Sequence, residues 1–276
     1  MNISAADVNK LRQMTGAGMM DCKKALTEAN GDFETAIDIL RKKGQKIAAA
    51  RADRTSGEGT VFAKTSPDGT QAVAVALGCE TDFVAKTEGF IKMGNAILDV
   101  AYEQKPESIE ALNSLALEGR SIAEHLTDMM GKIGEKIEVL SYEVIKGDKV
   151  VSYLHGAKIG VLVALTKVGG DAETAGKDVA MQIAAMRPIS LDKDGVPTDM
   201  IEREIEIGKE QARAEGKPEA MLEKIAMGKL SKFYKDYTLL NQEFIKDNKF
   251  SVSQYLDNVS KGMTVAAYKR IGIGGV

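Results

Sequence analysis

The chain has 276 residues, 44% of them hydrophobic and 28% charged, with a formal net charge of −3. This is ordinary for a globular protein of two or three domains, and no overall charge field points to nucleic acid or to a membrane surface. The two cysteines, Cys22 and Cys79, make no disulfide framework, residues 1–10 lack the apolar core of a secretory signal, and no apolar run approaches the roughly 18–20 residues that span a bilayer. The simplest expectation is a reduced, cytoplasmic protein.

Residues 4–43 read as three short helices. Ser4 caps the first, which carries Val8 and Leu11 on one side, and Thr15-Gly16-Ala17-Gly18 breaks it. Asp21 to Ala29 forms the second, ended by Asn30-Gly31. Asp32 caps a third that runs through Arg41, with Phe33, Ala36, Ile37 and Leu40 at helical spacing. Arg41, Lys42 and Lys43 then lie at the negative end of the helix dipole, and Gly44 follows as a C-cap. Residues 1–44 are thus expected to form a three-helix domain. Met19 and Met20 cannot both face so small a core, so one is exposed, either as a soft contact surface or as a stray side chain. Residues 45–58 read as a polar, partly helical linker. Its Lys and Arg lack interleaved aromatics and read as a solvated face.

The first core subdomain is expected over residues 59–145. A strand at 59–64, the turn Ser66-Pro67-Asp68-Gly69 and a strand at 71–79 make a hairpin. In the second strand Val73, Val75, Leu77 and Cys79 alternate with Ala72, Ala74, Ala76 and Gly78. At Thr81-Asp82 the period changes to that of a helix, expected to run to about Glu103. Phe83 falls in its first turn, flanked by Asp82 and Lys86. Such a corner can push an aromatic wedge out of the fold; the alternative, favoured by spacing alone, is that Phe83 packs beneath its own helix. A helical stretch at roughly 107–130 and a strand at 137–145 complete this half.

Residues 146–276 repeat the order: strand, turn at His155-Gly156, strand at 158–166, helix at 172–186. Ile159, Val161, Val163 and Leu165 alternate with Gly160, Leu162 and Ala164. Two charged helices joined at Gly216-Lys217-Pro218 read as an inserted antiparallel hairpin over about 198–235. A short helix near 252–258 and a strand at 264–272 follow. The expected fold is α+β: an N-terminal three-helix domain, then two related subdomains, each an antiparallel sheet with helices on one face.

The chemistry of an enzyme is missing. His125 and His155 have no partners at metal-ligand spacing. The sequence has no phosphate loop, nucleophile elbow or dinucleotide fingerprint. Cys22, beside Lys23 and Lys24, and Cys79, at the end of an apolar strand, have no nearby histidine. The residues alone therefore describe a non-catalytic interaction protein without metal or cofactor.

Six blocks narrow the class. Thr15-Gly16-Ala17-Gly18-Met19-Met20-Asp21-Cys22-Lys23-Lys24-Ala25-Leu26, Thr81-Asp82-Phe83-Val84-Ala85-Lys86 and Lys132-Ile133-Gly134-Glu135 are the first three. His155-Gly156-Ala157-Lys158-Ile159-Gly160-Val161-Leu162-Val163, Gln182-Ile183-Ala184-Ala185 and Leu239-Leu240-Asn241-Gln242-Glu243-Phe244 are the others. In type and order they resemble the bacterial elongation factor Ts family across nearly the whole chain. The resemblance implies a guanine nucleotide exchange factor for the GTPase elongation factor Tu, with a ubiquitin-associated-like first domain and a helical hairpin used in dimerisation. It implies that Asp82 and Phe83, framed by Thr81 and Val84, disturb the GTPase's Mg²⁺ site. It places Arg12, Met19, Met20, Asp21 and Lys23, together with Ile159, Gly160 and Gln182, at partner contacts. Some members carry histidine where this chain has Gln182, and some extend beyond the last strand with a further helical module whose contacts are expected to be absent here. No nucleic-acid or membrane contact is implied. The competing reading is a non-exchange module of the translation apparatus that binds a ubiquitin-like fold or RNA.

Overall fold

The N-terminal domain is built by caps and glycines. In the computed structural model, which describes residues 3–276, Ser4 and Asp7 form a reciprocal capping box that starts α1, Ala5–Thr15. Gly16, at φ 68°, ends it in the left-handed conformation. Helix α2, Met19–Glu28, begins two residues earlier than its spacing implied, and α3, Phe33–Ala50, starts where Asp32 accepts the Thr35 N–H at 2.7 Å. Val8, Leu11, Cys22, Leu26 and Ala36 form their shared core. Residues 1 and 2 of the expected domain lie outside the described residues.

Helix α3 does not stop at Gly44. It continues to Ala50 through half of the expected linker. Gly44 lies where α3 crosses α7, Ile122–Ile133, and a Cβ on Gly131 would sit 2.8 Å from the Gly44 Cα. Here glycine permits close helix approach instead of capping, and the crossing docks the N-terminal domain on the core.

Two three-stranded antiparallel sheets form the core. The first has order β1-β2-β5, from Glu58–Thr65, Gln71–Cys79 and Ile137–Lys146. The second has order β6-β7-β8, from Lys149–His155, Ile159–Thr166 and Thr264–Gly272. Both central strands carry a register shift at equivalent places, Ala76/Leu77 in β2 and Ala164/Leu165 in β7. The large residues Val73, Val75, Leu77 and Cys79 face α5, Glu88–Gln104, in one core. Val161, Val163 and Leu165 face α8, Ala172–Met186, in another. The small faces meet each other: Ala72, Ala74 and Ala76 pack with Leu162, Ala164 and Ile271 between the sheets. Alternation of large and small thus records one face under helices and one under the opposite sheet.

Two expected helices are divided. The stretch after Thr81 is a single turn, α4, Asp82–Ala85, followed by a break and then α5, because Thr87 supplies a second N-cap. The stretch at 107–130 contains α6, Ile109–Ser114, a short β3–β4 ribbon at Ala116–Leu117 and Arg120–Ser121, and then α7. The hairpin is α9, Thr198–Ala214, and α10, Glu219–Tyr237. Ala212, Leu222, Ala226 and Leu230 are buried in it, and Lys209–Glu223 at 2.8 Å crosses between its helices. Helix α11, Val252–Val259, precedes β8.

Candidate functional site

The corner after β2 presents one aromatic side chain to solvent. Thr81 caps α4, and Val84 and Ala85 are buried in the first core. Residues advance about 100° per step around a helix, so anchoring Val84 and Ala85 inside turns Phe83 outward. Phe83 is 80% exposed, while Phe90, one helix later, is fully buried. The position beneath the helix is therefore taken by Phe90, and the alternative of a packed Phe83 is corrected. Thr87 closes the turn by donating its hydroxyl to the Val84 carbonyl at 2.9 Å. Lys86 pairs with Asp82 at 2.6 Å and holds that carboxyl below the usual carboxylate range.

Charged groups hold the corner from behind. Glu80 accepts the Lys136 backbone N–H at 2.7 Å and the Arg51 guanidinium at 2.6 Å. These two donors, the backbone one first, keep its carboxyl below the usual range. Arg51 lies at the end of α3, so this pair also ties the N-terminal domain to the corner. Glu135 accepts from Thr81 twice, from the backbone N–H at 3.1 Å and from the hydroxyl at 2.7 Å. The Cys79 thiol donates to the Thr81 carbonyl at 3.1 Å; burial, reinforced by the Glu135 charge, pushes its pKa up to about 11.

The other expected contact residues divide into surface and interior. Arg12, Met19, Met20 and Lys23 are exposed on α1 and α2, Met20 at 76%. Both methionines, not one, face solvent. Asp21 is half-buried and pairs with Lys43. Ile159 is half-buried, but Gly160 is buried, and a Cβ there would lie 2.5 Å from Val61 Cγ1 of the opposite sheet. Gln182 is 0% exposed. Its amide nitrogen donates to Gln242 Oε1 at 3.0 Å and to the Glu243 carbonyl at 3.1 Å, and its oxygen accepts the Ile245 N–H at 2.9 Å. Gly160 and Gln182 are thus buried in the chain alone, where they shape the surface from within. Ile245, next to the Gln182 network, is itself exposed.

Sequence reasoning missed Arg51 and Glu135 as parts of the corner; the signal for Glu135 was that it closes one of the six blocks. Cys22 is buried, and the His125 ring nitrogen Nε2 lies 2.8 Å from the Leu117 carbonyl. Among the described residues no group of three His, Cys, Asp or Glu side chains could hold a metal ion. The corner offers a shaped contact with one apolar tip and one carboxylate.

A family model described as Elongation factor TS matches residues 80–275, a span that includes the whole corner. The chain is 61% identical over 274 residues to Elongation factor Ts of Cytophaga hutchinsonii, covering 98% of this chain and 99% of that one. It is 54% identical over 276 residues to Elongation factor Ts of Amoebophilus asiaticus, covering 99% and 100% of the two chains. Elongation factor Ts of Christiangramia forsetii is 51% identical over 275 residues, with 99% of each chain covered.

Proposed function

The chain belongs to the elongation factor Ts family of translation elongation factors, and we propose that it is the guanine nucleotide exchange factor for elongation factor Tu. The observation that carries this reading is Phe83, a large aromatic held out of the surface by a turn whose other half is buried. In this reading the exposed Arg12, Met19, Met20 and Lys23 grip the nucleotide-binding domain of the GTPase, and the corner presses beside its Mg²⁺ site. GDP in a GTPase is held by backbone donors at a helix N-terminus and by the charge of the ion. Displacing groups around the ion removes much of that stabilisation. Phe83 supplies bulk, and Asp82, kept ionised beside Lys86, supplies a polar contact. No bond is made or broken, so the protein acts by binding and not as an enzyme. Because it prefers the nucleotide-free GTPase, linkage requires that it weaken GDP binding by the same factor that GDP weakens its own.

The α9–α10 hairpin, with Met221 and Met227 exposed, is in this reading the surface for a second copy of the chain. Translation places the protein in the cytoplasm, and no helix among the described residues is long and apolar enough to cross a membrane. The test is release of fluorescent GDP from elongation factor Tu after addition of the protein and excess unlabelled GDP. A saturable acceleration is expected. Binding without acceleration would overturn exchange, and a folded protein that does not bind at all would overturn the partner.

A further inference from the structure

We propose that Glu135 is a positioning residue for exchange, acting through Thr81 to fix the turn from which Phe83 projects; this rests on the exchange reading above. The register of β2 and β5 pairs Cys79 with Ile137 and Gly78 with Glu138, and continuing that ladder past its end sets Thr81 opposite Glu135. Gly134, the left-handed C-cap of α7 at φ 81°, turns the chain into that position. There both carboxylate oxygens are used on one residue: Oε2 accepts the Thr81 N–H and Oε1 accepts its hydroxyl.

Arg51 pairs with Glu80, Lys86 with Asp82, Lys136 with Glu138 and Lys158 with Glu58, and among the described residues no ion pair engages Glu135. Glu135 therefore directs its charge at the cap. With the Thr81 hydroxyl proton committed to Glu135, the oxygen lone pairs face the Val84 N–H, which reaches Oγ1 at 3.5 Å. Hydrogen bonds in such a chain polarise one another, so the carboxylate strengthens a long capping contact. Val84 is one of the two residues, with Ala85, whose burial turns Phe83 outward. Glu135 touches no nucleotide or ion in this scheme; it holds the wedge at its angle.

The test compares Glu135→Ala, Glu135→Gln, Thr81→Val and the double variant Glu135→Ala/Thr81→Val in full-length protein. Each is checked for folding by thermal melt. GDP release is read as the maximal rate at saturation and as the concentration giving half that rate. Loss of charge-assisted hydrogen bonds should lower the maximal rate about tenfold in Glu135→Ala, with the half-saturating concentration within about twofold. Glu135→Gln, which keeps one acceptor oxygen, should fall between, and the double variant should lose no more than Glu135→Ala. In the free protein, amide exchange at Thr81 and Val84 should accelerate in Glu135→Ala. If that variant fails to fold, Glu135→Gln carries the same comparisons. A normal maximal rate in a folded variant, an effect confined to half-saturation, additive losses in the double variant, or unchanged amide exchange would each overturn the proposal. No acceleration by the unmodified protein would overturn the exchange reading itself, and the amide measurement would still decide whether Glu135 fixes the corner.

Discussion

Phe83 and Gln182 invert what their residue types imply. Phe83 is the most exposed large apolar side chain among the described residues and forgoes roughly 2 kcal/mol that full burial would contribute. Removing its ring therefore changes stability little, and any loss of function on truncation reports on the partner and not on folding. Gln182 lies on a buried helix face beside Val179, Ile183 and Ala184 and satisfies three groups of the segment 242–245. Substitution Gln182→Ala should cost about 1–3 kcal/mol, because the buried Gln242 side-chain oxygen loses its donor. The measurement is the urea midpoint, and an unchanged midpoint would contradict the role. Neither outcome was legible in spacing. Helical periodicity says that Phe83 belongs to a turn but not which way a four-residue turn faces. The polar side chain of Gln182 reads as surface until its partners, 60 or more residues away, are known.

At the level of elements, the reading worked where a segment carried its own boundaries. Helix α8 and strand β8 lie at the residues expected, Ala172–Met186 and Thr264–Gly272, because Asp171 and the left-handed Arg187 bound the helix and alternation marks the strand. It failed where one residue type serves two purposes. A glycine after three basic residues looks like a C-cap, yet Gly44 is the point of closest approach of α3 to α7. Lengthening α3 brings Arg51 to Glu80, and the Lys136 backbone N–H together with this guanidinium gives the corner a pH dependence. The folded pKa of Glu80 is depressed below its unfolded value of about 4.3. The two contacts to Glu80 therefore contribute their full stability above that value and lose it as pH falls through the depressed folded pKa. The drop in stability between pH 6 and pH 3, measured by chemical denaturation, should be smaller in Glu80→Gln than in the unmodified protein. An equal or larger drop would show that Glu80 is not held ionised by the Lys136 amide and Arg51.

The whole molecule is a frame that carries two exposed surfaces. The paired small faces of the sheets join the halves of the core, helped by a 2.9 Å contact between the hydroxyls of Thr65 and Ser152. The α3–α7 crossing and the Arg51–Glu80 pair fix the N-terminal helices to the same body as the corner. Two related subdomains were legible because each central strand alternates large and small residues. That the small faces meet was not legible, since Ala74 and Leu162 are too far apart in sequence for any local period to connect them. In the proposed complex this frame keeps the grip of α1 and α2 and the pressure of Phe83 in register. The deciding measurement is fluorescent GDP release from elongation factor Tu with saturating Phe83→Ala. The substitution should leave the melting temperature nearly unchanged and, at saturation, should reduce the maximal release rate at least tenfold, a barrier change of roughly 1.4 kcal/mol. A maximal rate equal to that of the unmodified protein would show that exchange does not run through the Phe83 wedge.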